Sequence, residues 1–324
     1  MPCNIPVLHV EGRTLAEAYE KALIKLWHNG VRFSTQYDKP GDPQSIDATM
    51  NITVEAPMED PMIHKAFPGG IEDLREYVME LEGYKDDWVK AINDPDDTRW
   101  EYTYSGRFRH WGRIKKKLVR DKFVEGCRDT YQHIRNTSLA ITEMDGDSFC
   151  MWDCKEDVDQ IEMVIDKLCE QPFTRQAQMI TWDPRHDLGC YDPPCLRQIW
   201  LRIVENENGI WYLNYNVGIR SNDAFGAYFM NSFGITMMVY DLIAKEIMRR
   251  TGKDVKMGRM NWQADSWHIY GKDLKQAKER LFDRLDKTEF EDRVMRMDDS
   301  TISEIYAEAE ELILEKIQKT RESF

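Results

Sequence analysis

Apolar residues recur at helical spacing between Thr14 and Trp27, at Leu15, Ala18, Tyr19, Ala22, Leu23 and Leu26. That period predicts an amphipathic helix, and Thr14 with Glu17 three positions on supplies an N-cap signature. Asp47 to Val54 alternates and is rich in Thr, Ile and Val, which predicts a strand, before Pro57 and Pro61 break the chain. Ile71 to Leu81 predicts a helix closed by Gly83. Asn93 to Asp97 reads as a loop, Val158 to Leu168 as a helix and Ala177 to Trp182 as a strand. After a turn at Cys190 to Pro194, two strands, Leu196 to Val204 and Trp211 to Gly218, flank a hairpin loop at Asn206 to Gly209. Phe229 to Arg249 predicts a long buried helix ending near Gly252. Thr301 to Gln318 is amphipathic through Ile302, Ile305, Ala309, Leu312, Ile313 and Ile317, with Thr301 and Glu304 as its capping box. No internal repeat or low-complexity tract interrupts the pattern. The expectation is an α+β fold, one large mixed sheet with helices packed on a face.

Composition narrows the partners. The chain has 324 residues, 42% of them hydrophobic, enough for a sizeable core. A formal net charge of −14 opposes nucleic-acid binding. The one notable basic run, Arg113 to Arg120, reads first as a solvated helix face and only second as a polyanion site. No basic segment followed by an apolar core opens the chain, and no stretch approaches the roughly 18 apolar residues of a membrane span. A cytoplasmic protein with no membrane contact is expected. Seven cysteines form no CxxC pair, and Cys150 and Cys154 have no second ligand pair, so no metal site is expected.

The chemistry-bearing residues follow. Cys195 comes directly after Pro193 and Pro194, and each proline fixes φ and removes a backbone donor, so the thiol sits on a rigid turn. Downstream, Arg220 and Ser221 can offer a guanidinium fork and a hydroxyl to one phosphate. A thiol beside a phosphate clamp points to covalent chemistry on a nucleotide. Arg220 is also the cation expected to lower the thiol pKa.

These motifs resemble the thymidylate synthase family, which includes the pyrimidine nucleotide hydroxymethylases. The resemblance runs through Asp159 to Arg175, Thr181-Trp182-Asp183-Pro184, Arg220 to Asn231 and Ala264 to Tyr270, in family order. It is strong from Gln160 to Tyr270, weaker from Gly69 to Gly112, and undetected in the first stretch and the tail. It implies a thymidylate synthase-like catalytic domain over residues 1–275 and a C-terminal helical extension over 276–324. It implies that Cys195 adds to C6 of a uracil-type ring, making C5 nucleophilic toward a one-carbon donor, 5,10-methylenetetrahydrofolate. Asn231 would read the ring, its amide offering a donor and an acceptor; the structural alternative is a cap for the following helix. Glu76 would be the general base, with Glu72 as rival. His268 and Tyr270, alternating on a strand, would bind the sugar 3′-hydroxyl. Asp223 would contact the folate, and Trp88 or Trp182 would pack its pterin. Arg175 would reach the partner's phosphate in a homodimer with shared sites.

Departures from the family pattern bear on the reaction. The family usually has two consecutive arginines where this chain has Arg175-Gln176. Arg32, Arg107 and Arg109 are the replacement candidates. Leu196 stands where a His usually follows the nucleophile, and the usual apolar tail gives way to a charged helix. The archaeal and phage branches share such departures. Three readings remain: reductive methylation of dUMP, hydroxymethylation of dUMP or dCMP, and a nucleotide-binding relative without catalysis.

Overall fold

The computed structural model describes residues 4–35, 37–89, 99–111, 142–144, 148–150, 158–184, 187–190 and 192–322. The Asn93–Asp97 loop, the basic run at 113–120 and Cys154 lie outside the described residues.

Among the described residues eleven strands occur in order: β1 Val7–Gly12, β2 Val31–Phe33, β3 Ser45–Val54, β4 Ile63–His64, β5 Thr142–Met144, β6 Ser148–Cys150, β7 Gln178–Ile180, β8 Leu196–Glu205, β9 Trp211–Asp223, β10 Val255–Ile269 and β11 Val294–Met295. Seven build the main sheet in the order β1-β3-β10-β9-β8-β7, with β2 also on β3. β1 runs parallel to β3 and β9 parallel to β10, while the other pairings are antiparallel. The sheet is therefore mixed, as the sequence pattern predicts.

Alternation decides its two faces. On β3, Ile46, Ala48, Met50, Ile52 and Val54 are buried, while Asp47, Thr49, Asn51 and Thr53 are half-exposed. The apolar face meets two helices. α1, Leu15–Asn29, buries the predicted stripe of Leu15, Ala18, Tyr19, Ala22, Leu23 and Leu26. Its Thr14 hydroxyl accepts from the Glu17 amide, satisfying one orphan N–H of the first turn. The second, α5, spans 228–251 as Tyr228–Met238, a π segment Val239–Ala244, and Lys245–Thr251. Gly252 closes it at φ 68°, a left-handed conformation that glycine adopts without a Cβ clash. The opposite sheet face carries half-exposed polar and aromatic side chains. Trp200, Asn216, Asn261 and Thr53 stand in one cross-strand row there.

Further helices are α2 Ile71–Leu81, α3 Tyr104–Arg109 and α4 Gln160–Glu170. The last helix, α6 Ser300–Arg321, lies on α2. Ala309, Ile313 and Ile317 pack with Met79 and against Trp88 in a second apolar cluster. Its cap is Asp299, whose carboxylate accepts from the Thr301 and Ile302 amides, rather than the predicted Thr301. An Asp two residues earlier reaches the same orphan amides, and Thr301 becomes a helical residue. Leu312, placed in the predicted stripe, is 66% exposed, because the contact with α2 is narrower than the apolar pattern.

Candidate active site

The Pro193–Pro194–Cys195 turn feeds straight into β8, which pairs Leu196 with Ile219 on β9. The Arg220 amide donates to the Cys195 carbonyl at 2.9 Å. The Arg220 side chain spends further donors on the same turn: Nε reaches the Pro194 carbonyl at 2.9 Å and Nη2 the Pro193 carbonyl at 2.5 Å. A guanidinium only donates, so the proline carbonyls are what the loop offers it. The guanidinium also lies 5.9 Å from the Trp182 ring centre.

β10 runs parallel to β9 and aligns Ser266 with Ser221 and His268 with Asp223. That register gathers the side chains around one cavity of about 670 Å³, lined by Cys195, Arg220, Ser221, His268 and Tyr270 together with Ser34, Thr35, Tyr37, Asp192 and Ser266. Tyr270 lies just beyond the end of β10, yet its ring still meets His268 edge-on at 4.5 Å. The contribution of Ser34, Thr35 and Tyr37 had no signal in the sequence.

Cys195 is half-buried, and burial raises its thiol pKa, with Arg220 pulling the other way. The sequence expectation of a lowered pKa is thus reversed: desolvation outweighs the cation, whose donors are partly committed to carbonyls. Three tyrosines near the thiol were not singled out from sequence. Tyr104 accepts a hydrogen bond from the Leu196 amide at 3.2 Å, and burial pushes its phenol up to about 12. Tyr77 and Tyr102 are likewise raised by burial, and both feel the charge of a Cys195 thiolate.

His268 is held through Ser266, whose Oγ donates to Asp47 at 2.7 Å and lies 3.1 Å from Nδ1. With the hydroxyl proton on Asp47, Nδ1–H donates and Nε2 is left as an acceptor. Nε2 is buried with no hydrogen-bond partner among the described residues. Burial lowers the His268 pKa, with Asp223 opposing it, so the ring is neutral at pH 7. Asp223 folds its Oδ1 onto the Phe225 and Gly226 amides at 3.1 and 2.8 Å. Burial raises its pKa.

Asn231 does not cap α5, which starts three residues earlier at Tyr228. Its side chain instead donates from Nδ2 to the Tyr77 hydroxyl at 2.8 Å and accepts at Oδ1 from Asn222 at 3.1 Å.

Glu76 lies outside the cavity lining. Its Oε1 accepts from Lys85 at 2.7 Å and Lys316 of α6 at 2.8 Å. Burial pulls its pKa up, but these two lysines outweigh it and hold the carboxyl below its ordinary value. Glu72, the rival, is exposed in the first turn of α2. Glu80, one turn beyond Glu76, is raised by burial, with Lys85 3.6 Å away opposing. Trp88 stands by Lys85 and Trp100, its ring 5.0 Å from the ammonium and 5.4 Å from the indole.

The arginines divide. Arg107 is consumed by a buried bidentate pair with Asp187 and a bond to the Thr181 carbonyl. Arg109 pairs with Asp159. Arg32 donates to the Gln44 carbonyl at 3.1 Å on the strand that leads to Ser34 and Thr35. Arg175 is exposed and lies outside its own chain's cavity, its carbonyl accepting from Trp200 Nε1 at 3.0 Å. Among the described residues no His, Cys, Asp and Glu cluster could hold a metal ion, and no helix is long and apolar enough to cross a membrane.

A protein described as "Putative thymidylate synthase" from Methanosarcina acetivorans is 24% identical over 264 residues, 82% of this chain and 90% of that protein. One of the same description from Methanothermobacter marburgensis is 30% identical over 125 residues; that match spans 38% of this chain and about half, 49%, of the relative. The solved thermostable thymidylate synthase A from Bacillus subtilis superposes with a TM-score of 0.52 at 14% identity, covering 83% of this chain and 84% of that one, which establishes the shared fold. The family model for thymidylate synthase matches residues 71–318, reaching into the tail where the sequence motifs gave no signal. A fold, a cysteine cavity and a family match over most of the length converge, and the chain belongs to the thymidylate synthase family, akin to its archaeal members.

Proposed function

We propose that the protein transfers a one-carbon unit from 5,10-methylenetetrahydrofolate to C5 of a pyrimidine nucleotide, acting as a thymidylate synthase on dUMP. The observation that carries this reading is the convergence of Cys195, Arg220, Ser221, His268 and Tyr270 on one cavity. Arg220 and Ser221 hold the phosphate, and His268 Nε2 accepts from the sugar 3′-hydroxyl beside Tyr270. The Cys195 thiol gives up its proton as sulfur bonds to C6, and the resulting C5 carbanion takes the one-carbon unit. Loss of the C5 proton expels the folate nitrogen from the transferred carbon and leaves an exocyclic methylene, and the C6–S bond breaks at the end of the cycle to free the cysteine. The folate co-substrate supplies the carbon and, in the synthase reaction, a hydride that reduces the exocyclic methylene to methyl and leaves dihydrofolate. Asp223 keeps its second carboxylate oxygen for the pterin, and Trp88 offers it a ring. Asn231 reads O4 and N3–H. Glu76 serves the proton steps, which requires that it leave Lys85 and Lys316.

Hydroxymethylation is the second reading. It is favoured by α6, which lies along α2 and contributes no residue to the cavity lining, so water can add to the exocyclic methylene. A homodimer with shared sites accompanies either reading. The polar and aromatic open sheet face and the exposed Arg175 support it, as they suit a partner surface and a phosphate contact in trans. We take 1–275 as the catalytic unit, 276–324 as its helical extension, and the cytoplasm as the compartment. Incubation with dUMP and methylenetetrahydrofolate should yield dihydrofolate; release of tetrahydrofolate identifies the hydroxymethylase, and neither product refutes both. 5-Fluoro-dUMP with the folate should leave an adduct at Cys195, and an adduct elsewhere refutes the nucleophile.

A further inference from the structure

Asn231 alone does not choose a base, because a primary amide rotated by 180° exchanges its donor and acceptor. The rotation follows from which of the two groups behind it donates and which accepts. Nδ2 gives one proton to Tyr77 and keeps the other; Oδ1 takes one bond from Asn222 and keeps a second lone pair. With Asn231 as the base contact, the edge left free offers Nδ2 to O4 and Oδ1 to N3–H of uracil. Reversed, it suits N3 and the exocyclic amine of cytosine. Each neighbour can serve either direction, so the direction of the pair decides the edge. Asn222 is 3% exposed, and its Oδ1 is buried without a hydrogen-bond partner among the described residues. Burial keeps the Tyr77 phenol protonated, so it can accept from the amide as now or donate to it after reversal. Asn222 to Asn231 to Tyr77 is thus a chain of three groups with two directions.

We propose that Asn222 and Tyr77 are the specificity-determining residues of this site, setting through the direction of that chain whether Asn231 presents a uracil-reading or a cytosine-reading edge. The inference rests on the reading of Asn231 as the base contact. In the direction seen here Asn222 is the donor and uracil is selected. Asn222→Asp replaces that donor by a carboxylate that only accepts. Asn231 must then turn Nδ2 toward it and Oδ1 toward the Tyr77 hydroxyl, which donates. Each end of the reversed chain is satisfied, so the variant should retain binding and change its preference. Tyr77→Phe removes one hydroxyl and leaves Nδ2 unanchored.

The test measures dissociation constants for dUMP and dCMP by calorimetry on the full chain, with thermal melting to verify folding. The natural protein should favour dUMP. Asn222→Asp should move the ratio toward dCMP by at least about tenfold, the discrimination left when one buried hydrogen-bonding group is mismatched. Tyr77→Phe should relax the dUMP preference severalfold without reversing it, and it carries the test if Asn222→Asp does not fold. A ratio unchanged in both variants, with Asn231→Ala abolishing the preference, overturns the proposal while sparing Asn231 as the reader. A ratio unchanged also in Asn231→Ala removes the base contact itself, and the proposal with it.

Discussion

Replacing Glu20 by Gln takes the charge out of a buried cluster that joins the first helix to the far end of the chain. Glu20 on α1 receives Nε and Nη2 of Arg293 at 2.7 and 2.9 Å, and Nε2 of His64 at 2.8 Å. His64 Nδ1 accepts from the Ala66 amide, which fixes its proton on Nε2 and aims it at the carboxylate. The Glu20 side chain is 11% exposed. Burial pulls its pKa up, but the Arg293 and His64 bonds win and bring it down to about 2, from an ordinary 4.5. A folded pKa below the unfolded one stabilises the fold above about pH 4.5, and that contribution is lost as pH falls toward 2. The gap of about 2.5 at about 1.36 kcal/mol per pH unit is worth about 3 kcal/mol at pH 7. Linkage gives a loss of about 1.4 kcal/mol of this by pH 3.5. Urea unfolding followed by tryptophan fluorescence should therefore show Glu20→Gln less stable by about 3 kcal/mol at pH 7, with the gap about halved at pH 3.5. A gap that stays constant between those pH values would refute the electrostatic account and leave only shape.

Further outcomes follow from other contacts. Ile313→Ala should lower stability by about 2–4 kcal/mol, because its side chain fills the α6–α2 contact, and hydrogen exchange in α2 should rise with it. Asp187→Ala strands the Arg107 guanidinium in the core and should cost about 3–5 kcal/mol by chemical denaturation. Cys195 alkylation by iodoacetamide should rise with pH to a midpoint above that of an ordinary thiol, and Arg220→Met should move the midpoint higher still. If the sites are shared, mixing Cys195→Ser with Arg175→Ala should restore activity through hybrid dimers once subunit exchange is verified.

The helices and central strands were legible because burial wrote its period into them. The stripe from Leu15 to Leu26 and the alternation from Asp47 to Val54 each record one buried face. β1 escaped because its outward positions include Val7, 69% exposed, and its partner is parallel with a helix between, so no hairpin signal marks it. The cavity lining was legible where a motif is contiguous, at Cys195, Arg220–Ser221 and His268–Tyr270. It was hidden where residues far apart in sequence meet. The Tyr77–Asn231 bond, and a cavity lined by both Ser34 and Cys195, are created only by the sheet register and the α2–α5 packing. The thiol's raised pKa was hidden for the same reason, since desolvation depends on what surrounds a residue and not on its neighbours in the chain.

The Arg220 guanidinium holds both proline carbonyls and faces the cavity, so two tasks share one side chain. An anion bound by the guanidinium donors that the carbonyls leave free holds the guanidinium in place and steadies the loop beneath Cys195. By thermodynamic reciprocity, whatever orders that loop tightens the grip on the anion by the same factor. In the proposed reaction the phosphate is then an activator as well as a handle. A nucleoside lacking it should lose turnover beyond its lost affinity, and free inorganic phosphate should return part of that turnover to the truncated substrate.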